Sequence, residues 1–106
     1  MLEANKKIEL SGKLATEALA EIEYILMSLK NIARYYYDNV ENPADIDPIA
    51  YAVETTRFID ENGITHRLSK VRSIISDGFD GQLGEDDMDD LERAFQNLQL
   101  WRKPGD

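Results

Sequence analysis

Cysteine is absent from the 106 residues, which excludes disulfides, thiolate nucleophiles and thiolate metal sites together. Histidine occurs once, at His66, so no histidine-based metal cluster can form within one chain. The Glu-x-x-His pattern of diiron bundles also fails, because Gly63 stands three residues before that histidine. No glycine-rich segment ends in Gly-Lys-Ser or Gly-Lys-Thr, and none of Ser11, Ser28, Ser69, Ser73 and Ser76 has the Gly-x-Ser-x-Gly setting of a nucleophile turn. Long apolar runs are missing and Met1 to Glu9 is polar, so neither a membrane span nor a signal peptide is expected, and the cytoplasm is the expected compartment. These absences predict a protein that is not an enzyme and that carries no metal or other cofactor.

Positive charge is scarce as well. Twelve Lys and Arg stand against 21 Asp and Glu, a formal net charge of −9. Between Asp77 and Glu92 there are eight carboxylates and no Lys or Arg. Such a surface repels nucleic acid and anionic lipid and steers basic partners toward itself. The one basic cluster, Arg67, Lys70 and Arg72, is a small footprint for phosphate on so acidic a molecule. It is expected to pair, within the chain or between subunits, with the acidic segment that follows it, and no direct nucleic-acid or membrane binding is expected.

What remains is helical periodicity. From Ile8 to Val40 three rows repeat every seven residues: Ile8, Ala15, Ile22, Leu29 and Tyr36; Ala18, Ile25 and Ile32; Leu19, Leu26, Ala33 and Val40. They merge into one broad stripe on a long helix, which Gly12 weakens near its start and which Ser11 can cap. The stretch Glu41–Asp47 contains Pro43 and reads as a loop, and Asp47-Pro48 is a helix-start signal. A second helix to about Asn62 presents Ile49, Ala52, Val53, Thr56 and Ile59 on its apolar face, and Gly63 caps it. A third, with Thr65 as its N-cap, carries Leu68, Val71, Ile74 and Ile75. Gly78, Gly81 and Gly84 then interrupt the pattern. A fourth helix beginning among Glu85, Asp86 and Asp87 aligns Met88, Leu91, Phe95, Leu98 and Trp101 and stops at Pro104. The predicted fold is all-α, a single acidic domain over residues 1–106 built as a small bundle of about four helices with one long N-terminal helix. Residues 1–10 form a turn or frayed end, and 103–106 a tail.

Two segments are candidates for partner binding. Tyr35, Tyr36 and Tyr37 span about 200° of helical arc, so they cannot all face one core. With Asp38, Glu41, Asp45 and Asp47 nearby, the exposed rings Tyr35 and Tyr37 would form an aromatic surface edged by acids. Asp80, Glu85, Asp86, Asp87 and Asp90 would form a second edge. The paired acids Glu17 and Glu21, and Asp86 and Asp90, lie off the apolar stripes and are expected to be solvated. The glycine-rich segment also has a local likeness to an EF-hand: with Gly81 at position 6, Ser76, Gly78, Asp80 and Asp87 take positions 1, 3, 5 and 12. Only Asp80 and the final acid fit that ligand pattern, so no metal is assigned.

In its acid-rich helical composition and its tyrosine-plus-acid segment the chain resembles small immunity proteins that mask the basic active sites of nuclease toxins. The likeness is compositional, does not extend to spacing or length, and assigns no residue a role. The first expectation is therefore a non-catalytic acidic module, an inhibitor, immunity protein or antitoxin-like factor that covers a basic, nucleic-acid-binding surface of a partner protein. The alternative is a homodimeric structural or adaptor protein with Leu19, Leu26 and Ala33 at the seam of the long helix. A degenerate EF-hand-like calcium binder is the third.

Overall fold

The structure, a computed structural model describing residues 1–106, is all-helical, with four α-helices and a long helix near the N-terminus. They are α1 (Gly12–Ala33), α2 (Pro48–Glu61), α3 (Ile64–Ser76) and α4 (Asp90–Phe95), with short 3₁₀ turns at Glu3–Asn5 before α1 and at Pro43–Asp45 before α2. The chain divides into two compact units. Residues Leu10–Ile75 make up one; Met1–Glu9 and Ser76–Asp106 make up the other.

In the unit Leu10–Ile75, Ser11 caps α1 by accepting the Leu14 N–H at 3.1 Å. Gly12 is therefore the first helical residue and not an interruption. At Arg34 the helix widens into a π turn that runs to Asp38, closed by the Asn39 N–H donating to the Arg34 carbonyl. Asp47 caps α2 through the Ala50 N–H at 3.0 Å, with Pro48 at the first helical position, where its missing N–H leaves no orphan donor.

Gly63 makes the turn into α3 with φ 59°. That left-handed conformation strains any side chain with a Cβ. Space is not the constraint, since a Cβ added there would meet only the His66 Cβ, at 3.9 Å. Gly63→Ala is accordingly expected to cost about 1–2 kcal/mol, the conformational penalty alone. Equilibrium urea unfolding checks this, and a variant as stable as the parent would mean that the turn relaxes out of the left-handed region. Thr65 is not the cap of α3. The helix starts one residue earlier at Ile64, which is buried, and the Gly63 carbonyl accepts the Arg67 N–H at 2.9 Å.

The core of this unit is thin. Ala18 and Ile22 of α1 pack on Val71 and Ile74 of α3, and Ile25 and Ile64 are the other buried apolar residues of the chain. Glu21, expected in solvent, is mostly covered because Arg67 reaches it at 3.0 Å and Lys70 at 3.7 Å. The Arg67 guanidinium also lies 4.1 Å from the centre of the Tyr24 ring. Arg67 and Lys70 thus tie α3 to α1.

The expected apolar face of α2 is turned outward. Ile49, Ala52, Val53, Thr56 and Ile59 are all exposed, while Ala50, Tyr51, Glu54, Thr55 and Phe58 are the half-buried positions. Aromatic packing decides the rotation: Phe58 stacks on Tyr24 at 5.9 Å, and Tyr51 meets Tyr36 and Tyr37 at 6.3 and 5.1 Å. Rings of that size bury more area than the aliphatic row they displace.

The terminal unit is organised by polar contacts. Asn5, in the stretch expected to fray, is buried. Its amide donates to the Asp90 carboxylate at 2.7 Å and to the Asp80 carbonyl at 3.0 Å, and its oxygen accepts the Asp80 N–H at 2.7 Å. Helix α4 is six residues long and begins at the capping box of Asp89 and Glu92, not among Glu85, Asp86 and Asp87. It ends where the Leu98 N–H closes a short turn onto the Phe95 carbonyl. A longer amphipathic helix needs an apolar surface to pack against. Here Met88 and Leu91 are half-buried, but Phe95, Leu98 and Trp101 are all exposed, Trp101 by 83%, so the second half of the predicted stripe is uncovered and the helix stops.

Candidate functional site

The tyrosine segment is shaped by the π turn. A hydrogen bond that spans one residue more than in an α-helix swings the following side chains round, so Tyr36 and Tyr37, neighbours in sequence, both contact the Tyr51 ring edge-on. Tyr35 is left 67% exposed with its ring 4.9 Å from that of Tyr36. Partial burial and then the charge of Glu54 raise the Tyr36 phenol above its ordinary pKa of 10.0.

Beside these rings lies a cleft of about 400 Å³ lined by Tyr35, Tyr36, Asn39, Val40, Asp45, Asp47 and Ala50. The six expected site residues of this edge meet the structure differently. Tyr35, Asp45 and Asp47 line the cleft together, and Tyr37 is turned onto Tyr51 instead. Asp38 and Glu41 are exposed but are not among the lining residues. The residues that the sequence reading missed are Tyr36, Asn39, Val40 and Ala50, which enter because the chain doubles back from α1 to the start of α2. No Lys or Arg lines the cleft. Its chemistry is two carboxylates, two phenols and an amide around a small apolar floor.

The second acidic edge is occupied from within. Arg93 donates to both Asp86 oxygens at 2.8 Å, to Asp90 at 2.9 Å and to the Met88 carbonyl at 3.0 Å. The loop wraps the guanidinium so closely that a Cβ on Gly84 would lie 2.8 Å from its Nη2. Asp90, expected in solvent, is buried, and its carboxylate also accepts the Leu2 N–H at 2.8 Å. Asp80 holds Asn5 through its backbone, and its carboxylate accepts the Gln82 N–H. Glu85 and Asp87 remain exposed, with Asp87 in the left-handed region at φ 58°. Of the calcium pattern, then, Asp80 is engaged by its own loop, and no three acidic or imidazole groups converge as a metal-binding group. No helix is long and apolar enough to cross a membrane.

No family model, curated protein or solved structure matches this chain.

Proposed function

We propose that the protein is a non-catalytic binding module whose cleft at the end of α1 takes a basic segment of a partner protein, in the manner of an inhibitor or antitoxin-like factor. The observation that carries this is the lining: Tyr35 and Tyr36 beside Asp45 and Asp47, with no cation among them. Aromatic faces and carboxylates together suit an Arg or Lys side chain, which can stack on a ring while its charge is met. The chain's charge of −9 would accelerate the encounter, and the tyrosines would lengthen the stay. The second acidic edge has a smaller part, since Asp86 and Asp90 are already paired with Arg93.

The test is capture from lysate of the source cell on immobilised protein, eluted by a salt gradient, followed by affinity measurement on the protein recovered. Asp45→Asn with Asp47→Asn should weaken binding about tenfold or more at low salt, one kcal/mol-scale charge contact being lost at each position. Asparagine caps a helix as well as aspartate, so α2 should keep its start. Equal affinity of parent and variant from low to high salt would refute the cleft.

A further inference from the structure

The outward face of α1 carries an exposed apolar strip. Leu19 is 58% exposed, Leu26 48% and Met27 42%, and at heptad spacing Leu19 and Leu26 stand on one line of the helix with Glu23 and Lys30 on the next.

The charge order says what fits there. Glu23 and Lys30 have opposite signs and lie on either side of Leu26 and Met27. Two copies of α1 running in the same direction would set Glu23 against Glu23 and Lys30 against Lys30. Running in opposite directions about an axis between Leu26 and Met27, they set each Glu23 against the other copy's Lys30, and Leu26 and Met27 against each other at the centre. The same register lays Ala20 beside Ala33 and the exposed stem of Arg34 over Leu19, with no like charges opposed.

We propose that the occupant of this face is a second copy of the chain, paired antiparallel through α1 in that register. This stands apart from the cleft, whose lining residues all lie beyond Ala33, so either reading can fail alone. The chain has no cysteine, and a crosslinking test is therefore clean. Full-length Leu26→Cys should link to itself under mild oxidation, because the two positions meet near the axis. Leu19→Cys should not, because antiparallel pairing separates its copies by roughly 20 Å, far beyond disulfide reach. Linking of both at equal rates would mean parallel pairing and overturn the register.

Sedimentation velocity gives the second readout. The parent should sediment as a dimer at about 100 µM, a loading chosen to favour weak self-association. Glu23→Lys should weaken the dimer at least tenfold, and the added Lys30→Glu should restore it. A parent that stays monomeric at that concentration, or a charge swap that fails to rescue, would sink the proposal.

Discussion

Truncating Ile74 to alanine is expected to cost about 2–3 kcal/mol and to lower the melting temperature of the Leu10–Ile75 unit by roughly 10–20 °C. The figure sits at the low end for Ile-to-Ala changes because no side chain in the molecule is sealed completely from solvent, so the cavity can partly collapse or fill with water. The consequence is still large. Units of this length have only a few kcal/mol of net stability in total, and Ile74 shares its cluster with just Ala18, Val71 and Ile22. Thermal melting followed by circular dichroism, at a concentration low enough to keep the protein monomeric, measures it. A loss below about 0.5 kcal/mol, the range of an indifferent surface change, would show that the unit is held chiefly by its aromatic contacts.

Those aromatic contacts are where the sequence was hardest to read. Periodicity located α1, α2 and α3 well, because Ser11, Asp47-Pro48 and Gly63 are punctuation that acts through local hydrogen bonds and backbone conformation, and these need no knowledge of the rest of the fold. It misjudged which side of α2 faces inward. Ile49, Val53 and Ile59 have the right spacing, but so do Tyr51, Thr55 and Phe58, and the choice depends on rings at Tyr24, Tyr36 and Tyr37 that sit elsewhere in the chain. The tyrosine triplet was legible as a conflict, three rings that one α-helical face cannot hold. Its resolution by a π turn was not, since one extra residue in a turn leaves no mark in composition.

The pairing inside the acidic block was illegible for a different reason. Counting charge from Asp77 to Glu92 stops one residue short of Arg93, which folds back on Asp86 and Asp90. Charge density along the chain says how strong a field is, whereas pairing depends on a hydrogen-bond geometry that only the loop supplies. Asn5 carries the same lesson at longer range. It stands in a polar stretch with no periodic signal, and its partners Asp80 and Asp90 are 75 and 85 residues away.

That clasp carries the second large effect. Asp90→Ala removes the acceptor of the Leu2 N–H, the Asn5 amide and one Arg93 N–H in a single change, and buried donors left without partners are far more costly than the bonds were worth. The N-terminal segment should release. By amide hydrogen exchange the Asp80 N–H, held at 2.7 Å by Asn5, should lose protection by about tenfold or more, while α1 and α3 exchange as before. Acid should do the same gradually. Arg93 and then the Met88 N–H hold the Asp86 carboxyl down to about 2 from its ordinary 3.8. Asn5 and then the Leu2 N–H lower Asp90 as well. With folded values below unfolded ones, these groups contribute their full stabilisation above pH 4–5, and it is lost as the pH falls from about 4 toward 2. Protection of Asp80, corrected for intrinsic exchange, should therefore be level from pH 7 to 5 and decline below 4. If instead Asp80 stays protected in Asp90→Ala, its two bonds to Asn5 hold the terminus unaided, and the buried carboxylate serves Arg93 alone.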